Sequence, residues 1–119
     1  MEYLTLGELR RALVVYDDNE ELNVELTGDW GSYRGYYDQL YIGYKKKGDK
    51  HSTVDKLRGI IEEALDTGVM HGYKGGEFSI NEHTEVCFAQ DYRATGGLYI
   101  KRVTEDFDGL KIVVEEEEW

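Results

Sequence analysis

The first apolar pattern along the chain has helical spacing. Thr5 is a suitable N-cap, and Glu8 stands three residues later, where a capping box places its acidic partner. The turn residues Asp17, Asp18 and Asn19 predict that this helix ends near Tyr16. One apolar stripe follows the cap and consists of Leu6, Leu9 and Leu13.

A second, longer helix is predicted over residues 52–66. Ser52 and Asp55 form its expected N-terminal capping pair, and Gly68 is a natural stop. Its apolar positions repeat at helical spacing: Val54, Leu57, Ile61, Ala64 and Leu65.

Five stretches alternate as strands do: residues 23–27, 39–45, 85–90, 98–103 and 110–114. Residues 28–35 are glycine-rich and predict a loop, and 69–82 predict a second loop with a short extended piece at 77–80. No helical pattern separates the last three strands. The sequence therefore predicts an α+β fold, with two short helices packed on a largely antiparallel sheet of about five strands.

Length and composition predict a single domain over residues 1–119, with an acidic tail at 115–119. Hydrophobic residues make up 40% of the chain, with ten tyrosines against three phenylalanines, which indicates a thin core. Thin cores are often completed by association, so we expect a homo-oligomer. Cys87 has no second cysteine to pair with and is expected to be a small buried residue. No apolar run has the roughly 20 residues that a membrane helix needs, and no signal peptide is indicated.

The chain is strongly acidic, with 25 Asp and Glu against 14 Lys and Arg and a formal net charge of −11. Phosphate backbones need a basic surface, so this balance argues against duplex nucleic acid and anionic membranes as partners. It suits a basic protein partner. Basic residues are concentrated in one turn, at Lys45, Lys46, Lys47 and Lys50.

The sequence contains no recognisable catalytic or metal motif. His51, His71 and His83 are widely spaced and form no ligand pair, so we predict no metal and no cofactor. Cys87 lies within a strand pattern, and no phosphate-loop spacing occurs. We therefore predict no catalytic residues and a protein that is not an enzyme.

Three short segments combine a flat ring, a cation and small residues. The ring can stack on a base, the cation can bind an anionic oxygen, and glycine lets a ligand approach the backbone. Alternatively, the rings pack on loop edges and the cations pair with neighbours such as Asp38 or Asp91. The predicted ligand-binding residues are Tyr33, Arg34, Gly35 and Tyr36, then Tyr73, Lys74, Gly75 and Gly76, then Tyr92 and Arg93.

Several of these motifs, taken together, resemble a known group of proteins. "SYRGYY" at 32–37, "GYKGGEF" at 72–78 and "TEVCFA" at 84–89, in this order, are similar to small proteins of tailed bacteriophages for which no activity is established. The likeness spans roughly residues 4–90. It implies a phage origin and points to the Tyr-Arg-Gly and Gly-Tyr-Lys-Gly-Gly segments as shared features.

The leading hypothesis is a non-enzymatic, phage-encoded binding protein that sequesters a small anionic, nucleotide-like ligand. By analogy with other small phage proteins, it would act against host defence in the cytoplasm of the infected bacterium. The alternative is an acidic inhibitor that binds a basic host protein directly, as a partial nucleic-acid mimic. A virion or assembly role, with the tyrosine-rich segment as an interface, is the third possibility.

Overall fold

The computed structural model describes residues 3–33, 36–45, 51–71, 76–89, 98–107 and 109–116, of which 33, 36–38 and 116 by backbone alone. Two helices and seven strands follow one another along the chain. They are α1 (Leu6–Leu13), β1 (Glu25–Tyr33), β2 (Tyr36–Lys45), α2 (Val54–Thr67), β3 (Val69–His71), β4 (Glu77–Ser79), β5 (Glu85–Ala89), β6 (Leu98–Asp106) and β7 (Gly109–Glu116).

Five of the strands form one sheet in the order β1-β2-β5-β6-β7. Only β2 and β5 run parallel, and α2 lies in the long connection between them, as parallel neighbours require. The other neighbouring pairs are antiparallel. The α+β prediction, with two helices on a mostly antiparallel five-stranded sheet, is confirmed.

The helices cover one face of this sheet because each has a single apolar stripe. The three leucines of the α1 stripe are fully buried. Four of the five apolar residues predicted for α2 are also buried, while Leu65 is half-buried, and Ile60 joins them. They pack on the inward side chains of the strands in one core, which includes Leu40, Ile42 and Phe88.

The other face of the sheet has a small cluster of its own. Cys87 and Ala89 are buried there between Tyr41 and Tyr99. The ring of Tyr3 stacks on Tyr99, with centroids 4.6 Å apart. Cys87 is therefore a buried thiol, as predicted.

The cap of α1 is confirmed atom by atom. The Glu8 amide donates to Thr5 Oγ1 at 3.2 Å, and the Thr5 amide donates to Glu8 Oε1 at 3.0 Å. The helix ends at Leu13 rather than near Tyr16. Arg58 of α2 explains how this end is held, because its guanidinium donates to the carbonyl oxygens of Leu13 and Tyr16.

The predicted cap of α2 is wrong by one residue. Thr53 is the N-cap and accepts from the Lys56 amide, while the Ser52 hydroxyl accepts from the Leu26 amide at 2.8 Å. Ser52 thus joins the helix start to β1 instead of capping the helix. Gly68 closes α2 in the left-handed conformation, with φ of 72°, as its position predicted.

The predicted loop over residues 28–35 is also wrong, because β1 continues to Tyr33. An irregularity in the β1–β2 register between Leu26 and Trp30 accommodates the glycine pattern, and Gly28 takes a φ of 98° inside it. Beyond this bulge the strand pairs again, and Trp30 packs against the core. Gly28 therefore marks a bulge within the strand rather than its end.

Residues 69–82 hold more structure than the predicted loop. β3 and β4 form a separate two-stranded sheet, with Val69 opposite Ser79 and His71 opposite Glu77. β4 overlaps the short extended piece predicted at 77–80. Neither of the described helices is long and apolar enough to cross a membrane.

The segment before α1 is inserted between two strands. Its Leu4 amide donates to the Ile100 carbonyl oxygen of β6 at 2.8 Å, and its carbonyl oxygen accepts from the Val86 amide of β5. β5 and β6 pair directly only at Cys87 and Phe88. The first residues of the chain therefore fill the gap where these two strands separate.

Candidate functional site

A cavity opens at the end of the sheet where β2 and β5 finish. Its volume is about 150 Å³. Chain segments from both outer strands and from the centre of the sheet surround it. The lining residues are Asn23, Val24, Glu25, Tyr44, Lys45, His51, Phe88, Leu98, Ile112 and Val114.

Asn23 joins the two edges of the sheet beside this cavity. Its side-chain amide donates to the Ile112 carbonyl oxygen at 3.1 Å and accepts from the Ile112 amide at 3.0 Å. In a flat five-stranded sheet, β1 and β7 would be about 19 Å apart. Asn23 lies two residues before β1, a reach of at most about 7 Å. The sheet is therefore curled at this end, and the cavity lies where its two edges approach each other.

Aromatic rings form one wall of the cavity. Tyr44 and Phe88 are on adjacent strands, with ring centroids 6.1 Å apart and planes tilted by 50°. Both rings belong to the core and are held by packing. Small-molecule sites commonly combine apolar or aromatic walls with a few polar groups. Phe88 is 1% exposed and Tyr44 9%, so each ring presents only a small surface to the cavity.

The polar groups lie at the rim. Lys45 is 62% exposed and its Nζ is 3.1 Å from a carboxylate oxygen of Glu25, which is largely buried. His51 is exposed and is the first described residue after β2. Three of the five residues between Lys45 and His51 are lysines, and they lie outside the described residues.

Most of the predicted ligand-binding residues lie outside the described residues. These are Arg34, Gly35, Tyr73, Lys74, Gly75, Tyr92 and Arg93. Tyr33 and Tyr36 pair with each other at the closed end of the β1–β2 hairpin. Gly76 lies immediately before β4.

The described ends of two of the predicted segments are far apart. Tyr36 begins β2, whereas Ala89, the last residue of β5, pairs with Gly43, seven residues further along β2. Seven residues of extended strand span about 23 Å. The segment at 91–97 continues from β5 and returns at Leu98, so its two flanking strands contribute Phe88 and Leu98 to the cavity. The convergence of all three segments on one ligand stays a prediction.

Sequence reasoning missed the cavity itself. The strand predicted at 39–45 contains Tyr44, but nothing in the sequence pairs it with Phe88, which is 44 positions away. The basic turn beginning at Lys45 was a usable signal for the rim. Asn23 gave none, because the pattern placed it as the first residue of the strand predicted at 23–27.

The polar residues that line the cavity are Asn23, Glu25, Lys45 and His51. Among the residues that the structure describes, no three His, Cys, Asp or Glu side chains are grouped so as to hold a metal ion. Cys87 is buried on the face of the sheet opposite the core that Phe88 joins. Comparisons with protein-family models, curated proteins and solved structures found no match for this chain.

Proposed function

We propose that the protein is a non-enzymatic binding protein for a small anionic, nucleotide-like molecule, and that the cavity at the curled end of the sheet receives the flat part of that molecule. The observation that carries the proposal is the pairing of the Tyr44 and Phe88 rings with Lys45 and His51 at the rim. A flat anionic ligand needs a surface for its ring and donors for its oxygens.

The volume decides which part of the ligand enters. Sites for drug-sized molecules usually measure about 300–1,000 Å³. A cavity of about 150 Å³ holds one ring but not a whole nucleotide. The sugar and phosphate groups would therefore extend outward, past the rim.

The charges at the rim largely cancel, so binding of a phosphate would require further cations. Glu25 lines the cavity and pairs with Lys45, so the described part of the rim has little net positive charge. A phosphate that binds Lys45 must compete with Glu25, whose side chain is only 16% exposed, so Lys45 alone is a weak phosphate donor. Arg93, in the segment that joins two walls of the cavity, would add a bidentate phosphate contact.

Purified protein that is heat-denatured should release a compound absorbing near 260 nm, identified by mass spectrometry. If the protein purifies empty, a panel of mononucleotides and cyclic nucleotides is tested by calorimetry. Recovery of the bound nucleotide unchanged distinguishes binding from hydrolysis. Absence of both a released compound and a heat of binding up to millimolar concentration would refute the proposal.

Variants locate the site. Lys45→Ala and His51→Ala should each weaken binding several-fold, because each removes a donor at the rim. Lys101→Ala is the matched control, because Lys101 also faces a glutamate, Glu115, but on the other face of the sheet. Equal loss of affinity in the Lys45 and Lys101 variants would place the ligand elsewhere.

The alternative function is direct inhibition of a basic host protein, and one acidic turn favours it. Asp17, Asp18 and Glu21 are all exposed after α1. Asp18 is anchored by Arg58, which holds the turn in place. Reversing the charges of Asp17 and Glu21 should abolish binding to such a partner and leave nucleotide binding unchanged. In either case, the resemblance to phage proteins would place the protein in the infected host cell, acting on its defences.

A further inference from the structure

Two walls of the cavity come from opposite edges of the sheet. Val24 lies directly before β1 and Glu25 begins that strand, whereas Ile112 and Val114 belong to β7. β1 and β7 are the first and last strands in the order of the sheet and are not paired with each other. The width of the cavity therefore depends on how closely these two edges are held together.

The two hydrogen bonds between the Asn23 side chain and the Ile112 backbone hold these edges together, and we call them the edge contact. The side chain donates to the Ile112 carbonyl oxygen at 3.1 Å and accepts from the Ile112 amide at 3.0 Å. They replace the pair of bonds that a residue of a neighbouring antiparallel strand would make. Both partners also line the cavity. A change in the edge contact therefore moves a wall of the cavity.

The edge contact is accessible to water, so it can open while the rest of the protein stays folded. Asn23 is exposed, and water can take the place of its amide at Ile112. Backbone hydrogen bonds that are exposed to solvent open locally at a lower free energy than the core does. The cavity therefore has two arrangements, a closed one with the edge contact formed and an open one with it broken.

We infer that Asn23 is a positioning residue for the bound nucleotide: the edge contact holds the walls from β1 and β7 around the ring, and the ring holds the edge contact closed. The inference rests on the proposed function, because it concerns the ligand of the same cavity. A ring in the cavity touches both walls only in the closed arrangement, so it binds that arrangement more tightly. The coupling is reciprocal. The factor by which the edge contact strengthens binding equals the factor by which the nucleotide strengthens the edge contact.

Calorimetry measures the first factor. The probe is the mononucleotide or cyclic nucleotide that binds the natural protein most tightly in the panel described above. Asn23→Ala should weaken its binding about tenfold, because the walls are no longer held together. Asn19→Ala is the matched control, because Asn19 is also an exposed asparagine but lies in the turn after α1. It should bind the same nucleotide as tightly as the natural protein does.

Hydrogen exchange at the Ile112 amide measures the second factor, in the natural protein alone. This amide donates to Asn23, so its hydrogen exchanges only when the edge contact opens. The same nucleotide at saturation should slow this exchange about tenfold. The Val14 amide, which donates to the Arg11 carbonyl oxygen at the exposed end of α1, is the reference for local opening elsewhere. Its exchange rate should not change.

Equality of the two factors is the decisive result. Clearly unequal factors would overturn the inference, since a larger loss of affinity in Asn23→Ala, for example, would show that Asn23 binds the nucleotide directly. A nucleotide that binds without slowing exchange at Ile112 would overturn it too, even if Asn23→Ala were too unstable to titrate. Failure of the proposed function gives a different result: no nucleotide then binds the natural protein, and the inference fails with it.

Discussion

The Asn23 side chain is the contact whose removal gives the sharpest test of the curled sheet. Asn23→Ala deletes both hydrogen bonds to the Ile112 backbone, at 3.1 and 3.0 Å. A hydrogen bond within a protein contributes about 0.5–1.5 kcal/mol net. Asn23 is exposed, so water replaces part of what is lost. We expect the free energy of unfolding to fall by about 1–2 kcal/mol.

Urea titration followed by circular dichroism measures this loss. With a slope of about 2 kcal/mol per molar urea, the midpoint should fall by about 0.5–1 M. The melting temperature should fall by about 4–8 °C. Hydrogen exchange at the Ile112 amide should accelerate in the variant more than exchange at the buried α2 amides, because the change is local to the sheet edge.

Two control variants separate the hydrogen bonds from other effects. Asn23→Asp preserves side-chain size but places an oxygen against the Ile112 carbonyl oxygen, so it should destabilise about as much as Asn23→Ala. Asn19→Ala removes an exposed asparagine from a turn and should have little effect. An Asn23→Asp protein as stable as the natural one would refute the reasoning.

Five further substitutions, at four positions, test the packing by urea titration. Arg58→Ala should lower the free energy of unfolding by about 2 kcal/mol, because charged donors to the end of α1 are lost. Arg58→Lys should recover less than half of that stability. Full recovery with lysine would contradict the contact of Arg58 with two carbonyl oxygens. Gly59→Ala should stabilise α2 by about 0.5–1 kcal/mol, because a methyl group there meets open space. Gly7→Ala should destabilise the protein by about 1–3 kcal/mol, because its Cβ would lie 2.8 Å from the Cβ of Glu82. Equal effects of the two substitutions would refute the close approach at Gly7. Ser32→Ala should be neutral or stabilising by about 1 kcal/mol, since the buried Ser32 hydroxyl has no hydrogen-bond partner among the described residues, and a loss of stability would reveal one.

The helices could be predicted because their signals are local. The capping box of Thr5 and Glu8 and the leucine stripe of α1 involve residues within two turns of each other. Gly68 likewise announces the end of α2. Such interactions depend little on the rest of the fold, so the sequence alone contains them.

Two of the errors involve partners distant in sequence. Gly28 indicates a turn locally, but the pairing of β1 with β2 makes it part of a bulge. Ser52 is a good cap by itself, but Leu26 takes its hydroxyl. Contacts of this kind, between distant segments of one chain, decide between two locally acceptable structures. The sequence pattern does not contain them.

The candidate site was unpredictable for the same reason. The cavity requires Tyr44 beside Phe88 and Asn23 beside Ile112, pairs that only the curled sheet brings together. The tripeptide segments were visible because their members are adjacent. Residues that are adjacent in sequence identify a loop, but they do not indicate which loops lie on the same surface of the fold.

The position of Leu4 between β5 and β6 limits when the protein can fold during translation. Leu4 needs Val86 and Ile100 as neighbours, and both are synthesised many residues after it. α1 can therefore take its final place only after Ile100 has been synthesised, and contacts of such long sequence separation slow folding. Until then, the leucine stripe of α1 is an exposed apolar surface, and we expect chaperones to bind it during translation.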